Sequence, residues 1–223
     1  PDKTEFSIAV VANDSTKYYG VLRTNDTLRH QRNEESIFEI GSISKVFTST
    51  LLAQQVIENE IKLTDNINQY LDYKLNNGIN ISLRSLSNHT SGMPHMPSNA
   101  ILGTILNPSN PYKNYSEEKL EEYLREDLQM DYPAGEKSQY SNLGAATIAY
   151  VLSKHANKDY QTMLDENIFS NYQMMHSYAS RSSINMTLIK GLNPDGSPAS
   201  NWDLGAMVGA GGILSTAKDL TKF

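Results

Sequence analysis

The first forty residues contain three short apolar segments with the composition of β-strands. Two of them, residues 6–12 and 17–22, are separated by the polar residues 13–15. Apolar, β-branched and aromatic residues bounded by turn-forming residues predict an antiparallel hairpin. A third segment, residues 36–40, ends at Gly41. Because a two-stranded hairpin is marginally stable alone, we expect these strands to need further partner strands.

Patterns with helical spacing follow Gly41. Residues 42–59 are apolar on most of the helical circumference, which is typical of a helix buried on all sides. Between about residue 63 and residue 190, shorter helical patterns alternate with polar loops; they cover 66–71, 83–87, 116–127, 143–155 and 160–168. Residues 215–223 predict a short N-capped helix that ends without a glycine cap, so we expect the chain to be cut within an element.

Composition excludes several classes of partner and chemistry. The chain has 223 residues, with 25 acidic and 19 basic side chains mixed along it. No basic stripe is present that could neutralise a phosphate backbone, which excludes nucleic acid as a partner. No apolar run approaches the roughly 20 residues of a membrane span, and the N-terminus lacks the apolar core of a signal peptide. The absence of cysteine excludes disulfides, thiolate metal sites and a cysteine nucleophile.

Ser42 and Lys45 form the first candidate catalytic pair. They lie three residues apart at the head of the apolar helix, and therefore on one face within hydrogen-bonding reach. The apolar neighbours of Lys45, residues 43, 46 and 47, predict a buried amine, and burial favours its neutral, basic form. Lys45 is therefore a candidate base for a Ser42 nucleophile. A structural N-cap is the alternative interpretation of Ser42.

A serine followed three residues later by a lysine occurs at two other places in the chain, so this spacing alone is weak evidence for a catalytic pair. We interpret both of the other pairs as helix N-caps followed by an exposed lysine. They are Ser116 with Lys119 and Ser215 with Lys218.

Tyr140 and Asn142 form the second candidate group. In an extended turn, residues two apart project to the same side and would offer a phenol and an amide to one cleft. A phenol or phenolate near a lysine ammonium can relay protons. The alternative is that Asn142 caps the helix that follows while Tyr140 packs.

Four segments together resemble one family. They are Phe-Glu-Ile-Gly-Ser-Ile-Ser-Lys at 38–45, Leu-Ser-Asn-His-Thr-Ser-Gly at 86–92, Tyr-Pro-Ala-Gly at 132–135 followed by Tyr-Ser-Asn at 140–142, and Gly-Ala-Gly-Gly-Ile-Leu-Ser-Thr-Ala-Lys-Asp-Leu at 209–220. Their order and approximate spacing resemble the penicillin-recognising serine hydrolases, a group that holds class C beta-lactamases, D-alanyl-D-alanine carboxypeptidases and related esterases. The Ser-x-x-Lys element is a known signature of related enzymes.

The resemblance implies an α+β fold, with an antiparallel sheet flanked by helices and a mostly helical region. On this basis residues 1–55 and 200–223 belong to the sheet-containing domain, and residues 56–199 to the helical domain. The family's third motif, Lys or His followed by Thr or Ser and Gly, is absent from residues 1–223. We therefore expect the C-terminal strands to be missing, and this piece alone to be weakly active or inactive.

The resemblance also implies the chemistry. Ser42 would be acylated by a beta-lactam or by a D-alanyl peptide from peptidoglycan, with Lys45 and Tyr140 transferring protons. Asn142, Gly211 and Gly212 would contact the substrate. An esterase, a D-amino-acid amidase or a non-catalytic relative that binds peptidoglycan or a protein partner is the alternative. We expect no metal, no cofactor and a periplasmic or secreted location, with the missing C-terminal part of the fold as a partner.

Three further features have simpler interpretations. His89 and His95 lie in a loop without the spacing of a zinc site, so we interpret them as structural or hydrogen-bonding residues. The glycines at 209–212 lack the flanking residues of a phosphate loop and predict close backbone packing. Trp202 and Asp203 are candidates for the edge of the cleft, although Trp202 is also compatible with a core position.

Overall fold

A three-stranded antiparallel sheet opens the computed structural model, which describes residues 1–13 and 15–223. Its strands are β1 (Glu5–Ala12), β2 (Ser15–Thr24) and β3 (Thr27–His30), in the order β1-β2-β3. The predicted hairpin is present, with register pairs from Glu5 and Leu22 to Ala12 and Ser15. Asp14 of the predicted turn lies outside the described residues.

A second, two-stranded sheet joins distant parts of the chain. β4 (Phe38–Glu39) pairs antiparallel with β5 (Leu214–Ser215). The pairing continues beyond β4, because the Ile40 N–H donates to the carbonyl of Ile213 at 3.1 Å. The segment that leads into Ser42 therefore runs beside the segment that contains Gly211 and Gly212.

Eight α-helices follow β4 within residues 40–223, all of which the structure describes. They are α1 (Ser44–Ile57), α2 (Leu83–Ser87), α3 (Ile101–Leu106), α4 (Glu117–Glu122), α5 (Asn142–Ala156), α6 (Tyr160–Leu164), α7 (Val208–Gly211) and α8 (Ala217–Leu220). α4 and α6 each continue into a π-helical turn, which brings both close to their predicted lengths. The pattern at 66–71 forms only a short 3₁₀ turn at Ile67–Gln69. Along residues 1–13 and 15–223, no helix is both long enough and apolar enough to cross a membrane.

The main core forms where α1, α5 and α7 pack together. Phe47 and Leu51 of α1 are almost fully buried, as is most of α5. The prediction that α1 is buried on all sides is wrong, because Val46 is 52% exposed and Ile57 is 78% exposed. Only one side of α1 contacts α5 and α7, so the apolar residues on its other side remain in contact with solvent.

Two of the predicted helix starts need correction. The last helix is capped by Thr216, whose hydroxyl accepts from the Asp219 N–H, and not by Ser215. Ser215 instead lies in β5, where it is buried. Ser116 does precede α4 as predicted, but its side chain accepts no capping hydrogen bond from the backbone.

The architecture is the predicted mixture of helices with small antiparallel sheets. The pairing of β4 with β5 brings together the two chain segments that we assign to one domain. The domain boundaries at residues 55 and 200 stay a prediction.

Candidate active site

Ser42 sits in a tight turn between β4 and α1. Gly41 has φ of +53°, a left-handed conformation that favours glycine, and it turns the chain into the short 3₁₀ segment Gly41–Ile43. The residue at the N-cap position of α1 is Ile43, and no side chain caps the helix. The Ser42 hydroxyl is therefore not an N-cap and is available to the site.

The Lys45 amine contacts three acceptors. Its Nζ lies 3.2 Å from Ser42 Oγ, 2.7 Å from Asn142 Oδ1 and 2.5 Å from the carbonyl of Ala210. Three acceptors match the three N–H bonds of an ammonium group. Of the three apolar neighbours expected to bury this amine, Phe47 is fully buried, whereas Ile43 and Val46 are about half exposed. The groups that enclose the amine come from α5 and α7 instead.

Tyr140 completes the contact with Ser42. Its hydroxyl lies 2.6 Å from Ser42 Oγ, and Lys45 Nζ lies 4.6 Å from the centroid of its ring. The cap of the following helix is Ser141, which accepts from the Gly144 N–H at 2.9 Å. The alternative role of Asn142 as the helix cap is therefore wrong. Its amide is left to bond Lys45.

The Lys45 charge also changes the acidity of Tyr140. Partial burial raises the pKa of the phenol, but the Lys45 ammonium and the Ser42 hydroxyl stabilise the phenolate and outweigh that effect. The net result is a pKa below the usual value for tyrosine. The phenol in contact with Ser42 is thus easier to ionise than an ordinary one.

Two histidines from one loop also contact this group, although the sequence predicted no place for them in the site. His89 Nδ1 accepts from the Ser141 N–H at 3.3 Å, and its ring lies 4.8 Å from the Tyr140 ring. His95 Nε2 lies 3.3 Å from Asn142 Nδ2. Both contacts agree with the hydrogen-bonding interpretation. The described residues, 1–13 and 15–223, contain no cluster of three or more potential metal ligands among His, Cys, Asp and Glu.

His89 makes the stability of the fold depend on pH. Burial lowers its pKa, and the nearby charge of Lys45 lowers it further, so the folded protein favours the neutral ring that accepts from Ser141. As the pH falls below about 6.5, the unfolded chain takes up this proton before the folded chain does. Part of the free energy of unfolding is therefore lost in acid.

We expect His89→Asn to reduce the loss of unfolding free energy between pH 7 and pH 5. Asparagine tolerates the positive φ of +60° at this position. Urea denaturation at the two pH values measures the effect, with His176→Asn as the control outside the site. An unchanged pH dependence in His89→Asn would contradict this role.

A cleft of about 670 Å³ opens beside Ser42. Gly211 and Gly212 line it, together with Asn142 and Trp202. A Cβ atom on Gly212 would lie 2.8 Å from Val208 Cγ2, so close packing does require glycine here. Trp202 is 44% exposed and forms part of the cleft wall rather than the core.

Ser42, Lys45, Tyr140 and Asn142 are joined by hydrogen bonds, and Ser42 and Asn142 also line the cleft. Comparison with known proteins identifies the family of the chain. The family model described as Beta-lactamase matches residues 5–223. The chain belongs to the beta-lactamase family. It is thereby a member of the penicillin-recognising serine hydrolases, as the four motifs indicated.

The curated relatives of this beta-lactamase-family chain include enzymes of two kinds. A beta-lactamase of Psychrobacter immobilis is 24% identical over 219 residues, which cover 97% of this chain and 51% of the relative. The D-alanyl-D-alanine-carboxypeptidase/endopeptidase AmpH of Escherichia coli is 25% identical over 210 residues, which cover 92% of this chain and 52% of AmpH. The chain therefore spans about half the length of the curated relatives it matches.

Solved structures share the fold. A beta-lactamase/D-alanine carboxypeptidase from Pseudomonas syringae matches with a TM-score of 0.80 at 22% identity, covering 99% of this chain and 59% of that one. The fold class predicted from the sequence is confirmed by this match.

Proposed function

We propose that this beta-lactamase-family protein hydrolyses beta-lactams or D-alanyl peptide amides through an acyl-enzyme on Ser42. The contact of 2.6 Å between Ser42 Oγ and the Tyr140 hydroxyl, with Lys45 Nζ beside both, carries the proposal. Acyl transfer needs a nucleophile that is hydrogen-bonded to a base, and a third group that holds the base in place.

Tyr140 is the group that moves the proton. Its phenolate takes the proton of Ser42 while Oγ forms a bond to the substrate carbonyl carbon. The tetrahedral intermediate then collapses, the carbon–nitrogen bond breaks, and the departing nitrogen takes the proton from Tyr140. Water attacks the resulting ester in a second cycle, releasing the acid and restoring Ser42.

Lys45 supports this transfer as a cation. An ammonium that donates to Ser42 Oγ, Asn142 Oδ1 and the Ala210 carbonyl has no lone pair left to accept the serine proton. Its positive charge instead favours the Tyr140 phenolate. We therefore assign the base to Tyr140 and the electrostatic support to Lys45.

Substrate contacts complete the proposal. The Ser42 N–H supplies one donor for the oxyanion, which in comparable enzymes is worth about 3 kcal/mol. Asn142 orients the substrate amide, and Gly211 and Gly212 line its path. The family resemblance assigns the second oxyanion donor to the third family motif, which residues 1–223 do not contain.

The relatives support the choice of substrates. A class C beta-lactamase with the same fold has been solved in complex with cefoxitin, and AmpH is named for its action on D-alanyl-D-alanine peptides. Both substrate classes contain an amide that is strained or terminal. Since peptidoglycan peptides lie outside the cytoplasm, we also propose a periplasmic or secreted location.

Three substrates separate the possible activities of the full-length protein. Rates are measured with a fluorescent penicillin, a D-alanyl-D-alanine peptide and a simple ester. Rapid turnover of the penicillin indicates a beta-lactamase, and a persistent adduct with peptide cleavage indicates a carboxypeptidase. Ester hydrolysis without reaction of either amide would contradict the proposal in favour of an esterase, and no reaction at all would favour a binding protein.

A further inference from the structure

One carboxylate lines the cleft beside Ser42. Among the described residues that form the cleft wall, Glu39 is the only Asp, Glu, Lys or Arg side chain. It lies at the end of β4, three residues before Ser42. The cleft therefore holds a fixed negative charge close to the nucleophile.

This charge has no basic partner in the part of the chain that the structure describes. The Glu39 carboxylate accepts from the Trp202 backbone N–H at 2.6 Å and from Asn201 Nδ2 at 3.1 Å, which are both neutral donors. Across residues 1–13 and 15–223, no basic side chain forms a salt bridge with it. By contrast, the neighbouring Glu34 and Glu35 are paired with Arg32 and Lys218.

Two aromatic rings line the same cleft as Glu39. Tyr112 and Trp202 both line it, and their ring centroids lie 5.8 Å apart in an edge-to-face arrangement. Aromatic faces attract cations through their negative quadrupole, and a carboxylate forms its strongest hydrogen bonds with charged donors. A cleft lined by one carboxylate and two aromatic rings, with the backbone of one of them bonded to that carboxylate, is suited to an ammonium group.

We propose that Glu39, Tyr112 and Trp202 bind an ammonium group on the acyl part of the substrate. This inference rests on the proposed function and narrows its substrate class to amino-bearing acyl groups. Beta-lactams and D-alanyl peptides carry a carboxylate on the leaving-group side, which Glu39 would repel. The acyl side, whose amide Asn142 orients in the same cleft, is therefore the side that faces Glu39.

Ampicillin and benzylpenicillin test the inference, because they differ by a single ammonium group on the acyl side chain. The second-order rate constant for acylation of the full-length protein is measured with each. We expect ampicillin to react about fivefold faster, as one partly exposed ion pair allows. Glu39→Gln should bring the ratio of the two rate constants close to one. Glu35→Gln, which removes a carboxylate outside the cleft, should leave the ratio unchanged.

The ratio of the ampicillin and benzylpenicillin rate constants shows whether Glu39 recognises the ammonium group or has only a structural role. If Glu39 only anchors the backbone of Trp202, its substitution slows both penicillins equally, and that result would overturn the inference. If Glu39→Gln does not fold, the unmodified protein still gives an answer, because the preference for ampicillin should decline as ionic strength rises. A salt-independent ratio would overturn the inference, whereas no acylation by either penicillin would overturn the proposed function itself.

Discussion

We expect Tyr140→Phe to slow the proposed acylation of Ser42 by about 10²- to 10⁴-fold, the contribution typical of general acid–base catalysis. The substitution removes only the hydroxyl that lies 2.6 Å from Ser42 Oγ. The ring, which packs against His89 and below Lys45, is kept. The loss should fall on the acylation rate, with little change in the free energy of unfolding. Stopped-flow acylation and urea denaturation measure the two quantities.

The pH profile shows whether Tyr140 acts as the phenolate. Because the pKa of Tyr140 is lowered, the acylation rate should increase with pH and reach its plateau at a lower pH than an ordinary tyrosine would allow. Lys45→Met removes the charge that stabilises the phenolate, so the residual activity should need a higher pH. Tyr172→Phe, at an exposed position away from the site, is the control. A Tyr140→Phe variant with the native rate and profile would contradict the assigned base.

Gly209→Val destabilises the fold by about 3 kcal/mol, which is the upper range for overpacking a core. A Cβ atom at this position would lie 2.3 Å from Ala149 Cβ and 3.3 Å from the carbonyl of Ala145. Those atoms belong to α5, so α7 must move away from it. The melting temperature should fall by roughly 6 to 12 °C.

The same substitution should also reduce activity. Gly209 accepts from Thr48 through its carbonyl, and the next residue, Ala210, accepts from Lys45. Displacement of α7 therefore loosens the lysine that supports Tyr140. Gly191→Ala is the matched control, because the nearest atom to its added Cβ would be 3.9 Å away. A Gly209→Val protein as stable as Gly191→Ala would contradict the proposed packing.

The sequence predicted elements whose local pattern agrees with their final packing. α5 was predicted within one residue at each end, because an apolar run leads to Asn157, which ends the helix in a left-handed conformation. The β1–β2 hairpin follows from apolar runs around a polar turn. The missed β3 is short, and all four of its residues are exposed, so it shows no apolar signal. α3 was missed because residues such as Ile101 and Ile105 are exposed and give no buried face.

The contacts of the candidate site could be predicted from the sequence only where they are local. The spacing of Ser42 and Lys45 on one helix is a local property, and the structure keeps it. The surroundings of Lys45 are not local, since Asn142 and Ala210 come from distant segments. His95 contacts Asn142 because its carbonyl accepts the Asn142 N–H at 3.0 Å, a long-range pairing that has no sequence signal.

The position of the acyl group on the protein tests the proposed role of Ser42 most directly. The full-length protein is mixed with a penicillin, quenched within seconds and digested with trypsin. We expect a mass increase equal to one penicillin on the peptide 33–45, with fragmentation that assigns it to Ser42 rather than to Ser36 or Ser44. Penicillin hydrolysis with the adduct on another residue, or undiminished hydrolysis by Ser42→Ala, would contradict it.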